Sequence, residues 1–572
     1  MAAQHDPTGF RATLGLFGLM TGLALWGLGE FVIEALGQPR LELALASAVL
    51  GFCSAGLLLS GPLSVPRALG WASLMAVVPT GLLLWASLRF ATLEGFGDSP
   101  AAIVAYGVLL TVPLPFFIAA TQQTLFHYPT LFNEAWRLVI RAVSAAIFLG
   151  VFWGVYMICS LLLSLVGVTL LDRLVDEEVF LLGMSGLVGG VALAVLFELR
   201  NYLSPLLLLR LLQLLLIPVT AVVLVFVVRV PLEGLDQVFS GLSAAATLLA
   251  MVFGLATLIT ASLDCEPVET GPSPLYRWVL QIACLLMPVL AGLGSYAVWL
   301  RVTEYGWTPE RVTAACFCLL ALTYAVLYAG PVVLRRNWDQ GIRRANIQTA
   351  LVGLALAALA LTPVLNPQRI STQSQLALFE AGQIDTAQLP IRSMARDWGL
   401  AGQAGLEALR AQSDRDLQIL IDDALRREVA RVTTPEEPED RLAALAQLLP
   451  VAPEGAVWPE ALWNALPPEI VRDWLDACRY APESCVAVIG EVDPTWPGPE
   501  ALVLLVRGQN YVTTQMVGFD ETGAFAQGSS PGQRREDPRA LVRAVREGAY
   551  RLAPPARNAL TVEGLIFFPS PD

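Results

Sequence analysis

Acidic and basic side chains inside apolar stretches are the first residues in this sequence that could do chemistry. Glu30 and Glu34 are one helical turn apart near the end of the first apolar run, and Glu198, Arg200 and Arg210 lie where the sixth and seventh runs meet. An ionised side chain at membrane depth is costly, so such residues commonly mark proton or cation pathways. We therefore predict candidate intramembrane polar sites at these five positions.

Each of these positions also has a purely structural explanation. Glu34 lies within a few residues of a helix end, so both glutamates can sit at the membrane interface. Arg210, in the stretch L-L-L-L-R-L-L, can extend its charged end to the membrane surface or pair with Glu198 across the bundle. The sequence leaves these alternatives open.

The chain lacks several residues that common enzymes need. All 36 basic residues are arginine, which excludes a Walker A loop, a Schiff-base lysine and a Ser-Lys dyad. Histidine occurs only at His5 and His127, so a Ser-His-Asp triad in the C-terminal part and an H-E-x-x-H zinc site are excluded. Because the net charge of −13 opposes phosphate binding, we expect no nucleic-acid partner. We also expect no metal and no cofactor.

Long apolar segments dominate the first two thirds of the chain. Hydrophobic residues make up 55% of the sequence and charged residues only 15%, which is more apolar surface than a soluble core requires. Between Thr13 and Leu365 about eleven runs are long enough to cross the hydrocarbon core as helices. The predicted fold is therefore an α-helical polytopic membrane bundle of about eleven transmembrane helices, residues 1–367, followed by a soluble α+β domain. The lipid bilayer is its first partner.

Glycines spaced four residues apart recur in three of the apolar runs. This spacing lets helix backbones approach closely, and we predict close packing within the bundle rather than a seam between two copies. The pairs are Gly18 with Gly22, Gly150 with Gly154, and Gly186 with Gly190.

The predicted loops differ in their arginine content. The loops on the side of the N-terminus hold more arginines than the opposite loops, which also carry acids such as Asp172 and Asp176. By the positive-inside rule the N-terminus is cytoplasmic. An odd number of spans then predicts a C-terminal domain in the periplasm, with the chain in the inner membrane of a Gram-negative bacterium.

Several segments of the membrane part resemble a known family. The segment R-V-T-E-Y-G-W-T-P-E-R at 301–311 is followed by an apolar helix, the loop R-R-N-W-D-Q-G-I-R-R, another helix, and N-P-Q-R-I-S. Together with Pro129–Asp236, which includes L-L-Q-L-L-L-I-P-V-T, these segments resemble the domain of unknown function 4153 family of bacterial multi-pass inner-membrane proteins. The resemblance implies a membrane location and gives no activity.

The first of those segments places four charged residues in a predicted outer loop. As a candidate outer-loop site we take Arg301, Glu304, Glu310 and Arg311. The same residues also fit an ordinary helix start, with Thr308 as N-cap, Pro309 at the first helical position and an acid in the first turn. A ligand-binding role and a structural role are both compatible with this pattern.

After Pro363 the sequence has the pattern of a soluble protein. Residues 368–432 predict a helical juxtamembrane region, and the run T-T-P-E-E-P-E-D then predicts a linker at the start of the soluble α+β domain, residues 433–572. Strands are predicted near Cys485–Gly490, Ala501–Val506, Tyr511–Phe519 and Leu560–Phe568.

Cys478 and Cys485 are the two cysteines of this domain. The short intervening segment contains a proline and can close a small loop. In an oxidising periplasm such a pair forms a disulfide, which we therefore predict as a consequence of the orientation.

These observations favour a non-enzymatic inner-membrane protein whose external domain senses, binds or scaffolds an envelope component, either a protein or a lipid. A transporter or channel for a small solute or ion is the first alternative, and a carboxylate-based membrane enzyme acting on lipid or glycan is the second. A polar cavity lined by Glu198 or Arg210 would favour transport. An exposed groove on the soluble domain would favour binding, and two carboxyl groups under a lipid-sized cleft would favour an enzyme.

Overall fold

Most of the chain is described by the computed structural model. The described residues are 7–33, 38–97, 99–166, 168–199, 205–233, 244–263, 274–335, 337–411, 415–432, 438–453, 455–480, 483–490, 492, 496, 498–507, 511–520, 523–534, 537–551, 560–562 and 565–567. Compact packing divides the chain into two units, Met1–Gln412 and Ser413–Asp572. This division lies inside the predicted juxtamembrane region, and part of the predicted linker, 433–437, is outside the described residues.

Among the described residues of the first unit, eleven spans are long and apolar enough to cross a membrane, as the hydropathy predicted. They are α1 (Pro7–Gly27, continued by a π-helical turn at Leu28–Ile33), α2 (Pro39–Leu59), α3 (Val65–Ser87), α5 with α6 (Pro100–Thr111 and Pro113–Gln122), α7 (Tyr128–Leu165), α9 (Glu178–Glu198), α10 (Pro205–Glu233), α11 (Ala244–Ser262), α12 (Pro274–Tyr305), α13 (Pro309–Val333) and α14 (Trp338–Leu361). Short helices α4 (Leu93–Gly97) and α8 (Leu170–Asp176) lie between spans.

The outer faces of these helices are apolar. Leu214 is 72% exposed and Val77 is 69% exposed, although both are large hydrophobic residues. Contiguous exposed apolar surface of this kind is typical of helices that face lipid. Buried side chains such as Met287, Leu290 and Tyr328 form the interior of the bundle.

The fourth and fifth spans depart from simple straight spans. Proline at 113 separates α5 from α6, because it has no N–H to continue the helical hydrogen bonds. Helix α7 has 38 residues, which at the helical rise is about 57 Å and therefore longer than the hydrocarbon core. Its first turns, with Glu134 and Arg137, supply the polar extension.

Three further helices end the first unit. After a 3₁₀ turn at Pro363–Leu365 come α15 (Pro367–Glu380), α16 (Ile391–Arg396) and α17 (Gly399–Arg410). Asn366 caps α15 by accepting a hydrogen bond from the N–H of Arg369. Helix α15 packs against the turn between α12 and α13, and the N–H of Leu400 donates to the carbonyl oxygen of Arg89 at 2.8 Å. These helices therefore close one end of the bundle.

The second unit is an α+β fold built on a five-stranded sheet. Its elements are α18 (Arg415–Val432), α19 (Pro438–Leu448), β1 (Val451–Ala452), α20 (Glu460–Asn464), α21 (Pro468–Tyr480), β2 (Cys485–Ile489), β3 (Ala501–Arg507), β4 (Tyr511–Phe519), β5 (Phe525–Arg534), α22 (Pro538–Arg546), β6 (Leu560–Val562) and β7 (Leu565–Phe567). The sheet order is β1-β2-β3-β4-β5, with β1 parallel to β2 and every other pair antiparallel.

Alternating side chains of the sheet enter two cores. Val503 and Leu505 point to the core that contains the fully buried Trp474 of α21, and Leu504 and Val506 point to the core under α22. The indole N–H of Trp474 donates to the side-chain oxygen of Gln515 on β4. One sheet with helices on both faces is thus the core of this unit.

Two strand predictions need correction. Strand β5, F-A-Q-G-S-S-P-G-Q-R, was not expected because it is poor in β-branched residues, yet it pairs with β4 over most of its length. The single strand predicted at 560–568 is a small hairpin of β6 and β7. The predicted disulfide between Cys478 and Cys485 is present and joins α21 to β2.

Helices α1 and α9 pack through the glycines predicted to allow close approach. A Cβ atom added at Gly18 would lie 2.0 Å from the carbonyl oxygen of Gly186, and one added at Gly190 would lie 2.2 Å from that of Leu14. The prediction of close packing is confirmed for these two helices. It is wrong for the α7 pair, because an added Cβ meets nothing within 4 Å at Gly150 or Gly154.

We predict that Gly18→Ala destabilises the bundle while Gly189→Ala does not. Both substitutions remove the same backbone flexibility, but only the first forces a Cβ against main-chain atoms, since nothing lies within 4 Å of a Cβ at Gly189. Overpacking of this kind costs about 1–3 kcal/mol. Thermal unfolding of the purified variants in one detergent measures the difference, and equal midpoints would contradict the packing described.

Candidate functional site

The first group of sequence-predicted residues does not converge on one site. Glu30 lies in the π-helical turn after α1 with an exposed side chain. Glu34 and Arg200 are outside the described residues. No shared site of the glutamate pair can therefore be assigned among the described residues.

Glu198 pairs with a residue that the sequence did not suggest. Its carboxylate accepts hydrogen bonds from the guanidinium of Arg11, at 2.5 Å from Nη2 and 3.0 Å from Nε, which joins the end of α9 to the start of α1. The alternative of a pair between Glu198 and Arg210 is therefore wrong. Arg210 has an exposed side chain on α10, as expected if it extends along the helix to the membrane surface.

The outer-loop residues form a helix start. Thr308 caps α13 by accepting from the N–H of Arg311, and the Arg311 guanidinium donates to the carbonyl oxygen of Gly306 at 2.6 Å. The guanidinium groups of Arg301 and Arg311 lie over the ring of Tyr305, 5.7 and 5.5 Å from its centre, at cation–π distance. Glu304 and Glu310 are exposed. This geometry matches the structural interpretation of the segment.

Two apolar cavities of about 540 Å³ each lie between the membrane helices, within the range of roughly 300–1,000 Å³ that is usual for ligand sites. We name the first the Arg89 cavity. It lies between α5 and α13, both of which pack against α14, and the small residues Gly353, Ala357 and Ala360 of α14 leave the space open. Its polar end is formed by Arg89 and Gln368.

The second, which we name the Asn346 cavity, lies among α6, α7, α11 and α14. Aromatic rings, including those of Phe132 and Trp136, line much of it. Its polar part is a network in which the Asn346 amide donates to the hydroxyl of Tyr128 at 2.9 Å and accepts from the hydroxyl of Tyr328. Thr260 is 2.9 Å from the same Tyr328 hydroxyl.

The two cavities adjoin each other. Val112, Tyr324 and Ala350 line both of them. Val112 is the residue at which α5 ends and α6 begins. Apolar space therefore lies on either side of these three residues along part of the bundle.

A smaller pocket of about 220 Å³ is polar and lies near the start of α7. Glu134, only 6% exposed, pairs with Arg137 at 2.7 Å. The guanidinium of the buried Arg141 donates to the carbonyl oxygens of Leu58 and Ser60 at the end of α2. The charged side chains that bound this pocket thus already pair with other groups of the protein.

Chemistry based on carboxylates finds little support in the two apolar cavities. No aspartate or glutamate is present in the lining of either cavity, as far as the structure describes the chain. The described residues also contain no group of three or more metal-ligating side chains. The apolar linings of the two cavities suit apolar or amphipathic molecules.

Comparisons with known protein families, with curated proteins and with solved structures found no match.

Sequence reasoning missed the residues at the polar ends of the cavities. In the sequence, Arg89 is one of many arginines in the predicted loops, and Gln368 is one residue of the segment N-P-Q-R-I-S. Asn346 offered a usable signal, because a polar amide followed by a long apolar helix needs a buried partner. The partners, Tyr128 and Tyr328, are distant in sequence and could not be paired without the fold.

We predict that Asn346→Leu destabilises the bundle by about 1–3 kcal/mol, because it leaves the hydroxyls of Tyr128 and Tyr328 without their shared partner. The matched control is Thr257→Val in the same cavity, since the Thr257 hydroxyl bonds only to its own helix at Phe253. Unfolding in mixed micelles measures both. Similar stability of the two variants would show that the network contributes little.

Proposed function

We propose that this chain is a multi-pass inner-membrane protein that binds an envelope lipid or a similar amphipathic molecule inside its helical bundle, without transforming it. The adjoining apolar cavities carry this proposal. Each has the volume of a ligand site, an almost wholly apolar wall and a small polar end, which is the composition that an acyl chain with a headgroup requires. The sequence assigned binding of an envelope component to the external domain, whereas this proposal places the binding site in the bundle.

The proposed orientation places the N-terminus in the cytoplasm and the second unit in the periplasm. Two observations support it: the arginine bias of the loops, and the disulfide between Cys478 and Cys485, since disulfides persist in oxidising compartments. We also propose membership of the domain of unknown function 4153 family. Its support is the resemblance of residues 301–311 and of the N-P-Q-R-I-S segment, which contributes Pro367 and Gln368 to the Arg89 cavity.

In this proposal the bundle binds the lipid, and the periplasmic unit contacts other envelope components. Its two cores and its disulfide give a folded platform rather than a disordered tail.

Transport of an apolar solute is the second candidate function. Its support is the shared lining of the two cavities at Val112, Tyr324 and Ala350, which places the cavities next to each other along part of the bundle. Ion transport has less support, because Glu198 is paired with Arg11 and Arg210 is exposed, so neither lines these cavities.

We predict that Gly353→Phe reduces the lipid that co-purifies with the protein at least several-fold. A Cβ at Gly353 meets only the Leu320 side chain, at 3.8 Å, so the added ring can enter the Arg89 cavity without displacing a helix. Gly254→Phe is the matched control, because Gly254 is exposed on α11 and a Cβ there meets nothing within 4 Å.

Mass spectrometry of lipids extracted after purification in mild detergent quantifies this effect. Undiminished lipid in Gly353→Phe would overturn the proposal of a lipid in this cavity. In liposomes, movement of a small apolar solute that Gly353→Phe abolishes would instead favour the transport function.

The orientation predicts that a reporter active only in the periplasm is active when fused after Asp572 and silent when inserted after His127. His127 precedes α7 in a loop that the orientation assigns to the cytoplasm. A reporter active only in the cytoplasm should give the reverse pattern. Silence of the periplasmic reporter after Asp572 would reverse the orientation.

A further inference from the structure

Arg89 is an unusual feature of the cavity that bears its name. It lies two residues beyond the end of α3, at the depth where a span gives way to headgroups. Its Nη2 atom donates to the carbonyl oxygen of Ala360, the penultimate residue of α14, at 2.7 Å and to that of Thr362, the first residue after the helix, at 2.6 Å. Two main-chain bonds therefore fix the guanidinium at the cavity wall.

No carboxylate balances this charge among the residues that the structure describes. Arg89 takes part in none of their ion pairs, and its bonding partners are neutral carbonyls. Burial lowers the pKa of Arg89 to about 10, so the guanidinium is still a cation at neutral pH. A second cation lies close to the same loop, because Arg40 donates to the carbonyl oxygen of Phe90 at 2.8 Å. The loop thus combines a fixed cation with a nearby exposed one.

Gln368 adds a polar amide to the same end of the cavity. It lines the cavity at the start of α15, is only 4% exposed, and its Oε1 atom has no hydrogen-bond partner among the described residues. Because buried polar atoms usually have a partner, a small rotation of this side chain into the cavity would let its oxygen accept a bond from a ligand. An amide at this place suits a hydroxyl or amine donor of a headgroup.

The apolar part of the cavity is open to the side. Val104 on α5 and Phe317 on α13 both line it, and they are 52% and 42% exposed. On membrane-spanning helices an exposed apolar side chain faces lipid. The wall of the cavity at α5 and α13 therefore adjoins the lipid-facing surface.

From this arrangement we infer that the Arg89 cavity selects an anionic phospholipid, with one acyl chain among Val104, Phe317 and Gly353, the phosphate against Arg89, and a headgroup hydroxyl on Gln368. This inference rests on the proposed function and adds the class of lipid. Planar guanidinium groups suit phosphate oxygens, and charge-assisted bonds of this kind are stronger than neutral ones. The headgroup then lies at the depth of the membrane surface.

The test is competition between two lipids with identical acyl chains, phosphatidylglycerol and phosphatidylcholine, offered in equal amounts to the purified full chain. Native mass spectrometry reports the ratio of bound lipids. We expect the wild type to prefer phosphatidylglycerol roughly tenfold, and Arg89→Gln to bring the ratio close to one. Arg89→Lys, which keeps the charge, should retain part of the preference.

The matched control is Arg173→Gln, which removes the same charge from an exposed residue of α8 and should keep the wild-type ratio. Should Arg89→Gln fail to fold, two measurements on folded protein take its place. The preference of the wild type must exist, and millimolar inorganic phosphate must fail to displace the bound lipid. Displacement by inorganic phosphate would show that the site binds free phosphate and would overturn the inference.

Failure of this inference is distinguishable from failure of the proposed function. Suppose that Gly353→Phe loses lipid but that the ratio of bound phosphatidylglycerol to phosphatidylcholine is the same for Arg89→Gln as for the wild type. Lipid binding then stands, and headgroup selection by Arg89 is refuted. If Gly353→Phe retains all its lipid, the proposed binding of lipid in the Arg89 cavity is refuted as well.

Discussion

The need to pair main-chain carbonyl groups at the ends of membrane helices governs this structure. Inside a helix each carbonyl oxygen has its own donor, but the last turn has none, and the surrounding lipid supplies no water. Arginine side chains fill this need at several helix ends: Arg89 at the end of α14, Arg141 at the end of α2, and Arg311 at the turn after α12. A guanidinium carries several donors in one plane, so one side chain can serve two carbonyls.

This use of arginine gives the lysine-free composition a structural meaning in addition to any codon preference. A loop arginine satisfies helix ends, and the helix ends in turn hold the charge at a fixed place. Arg89 shows both effects, because the bonds to Ala360 and Thr362 that close α14 are the ones that hold a cation beside an apolar cavity. Structural and functional roles are therefore carried by one side chain.

The sequence predicted those features that depend on local pattern. Eleven spans follow from hydropathy, the α1–α9 contact from glycine spacing, the cap at Thr308 from T-P-E, and the disulfide from an isolated cysteine pair. What it missed depends on three-dimensional neighbours. Glu198 of α9 pairs with Arg11 of α1, which lies 187 positions earlier in the sequence. Strand β5 is held by its pairing with β4 rather than by its own strand propensity.

The cavities are among the features that depend on three-dimensional neighbours, for a physical reason. A void forms where three helices meet and none supplies a large enough side chain, so it has no signature in any single segment. Gly353 and Ala357 read as ordinary residues of an apolar helix, and the space they leave exists only because α5 and α13 stand on either side. Polar residues at such a site carry more information, as Asn346 does.

The break between α5 and α6 has a consequence for the point at which the two cavities meet. Pro113 and Pro115 cannot donate, so the carbonyl oxygens of Leu109 and Thr111 have lost their donors from the residues four positions ahead. These two acceptors lie in the middle of the fourth span, beside Val112. The loss of these two donors is thus built into the covalent structure of the backbone, where no side-chain substitution outside the prolines can restore them.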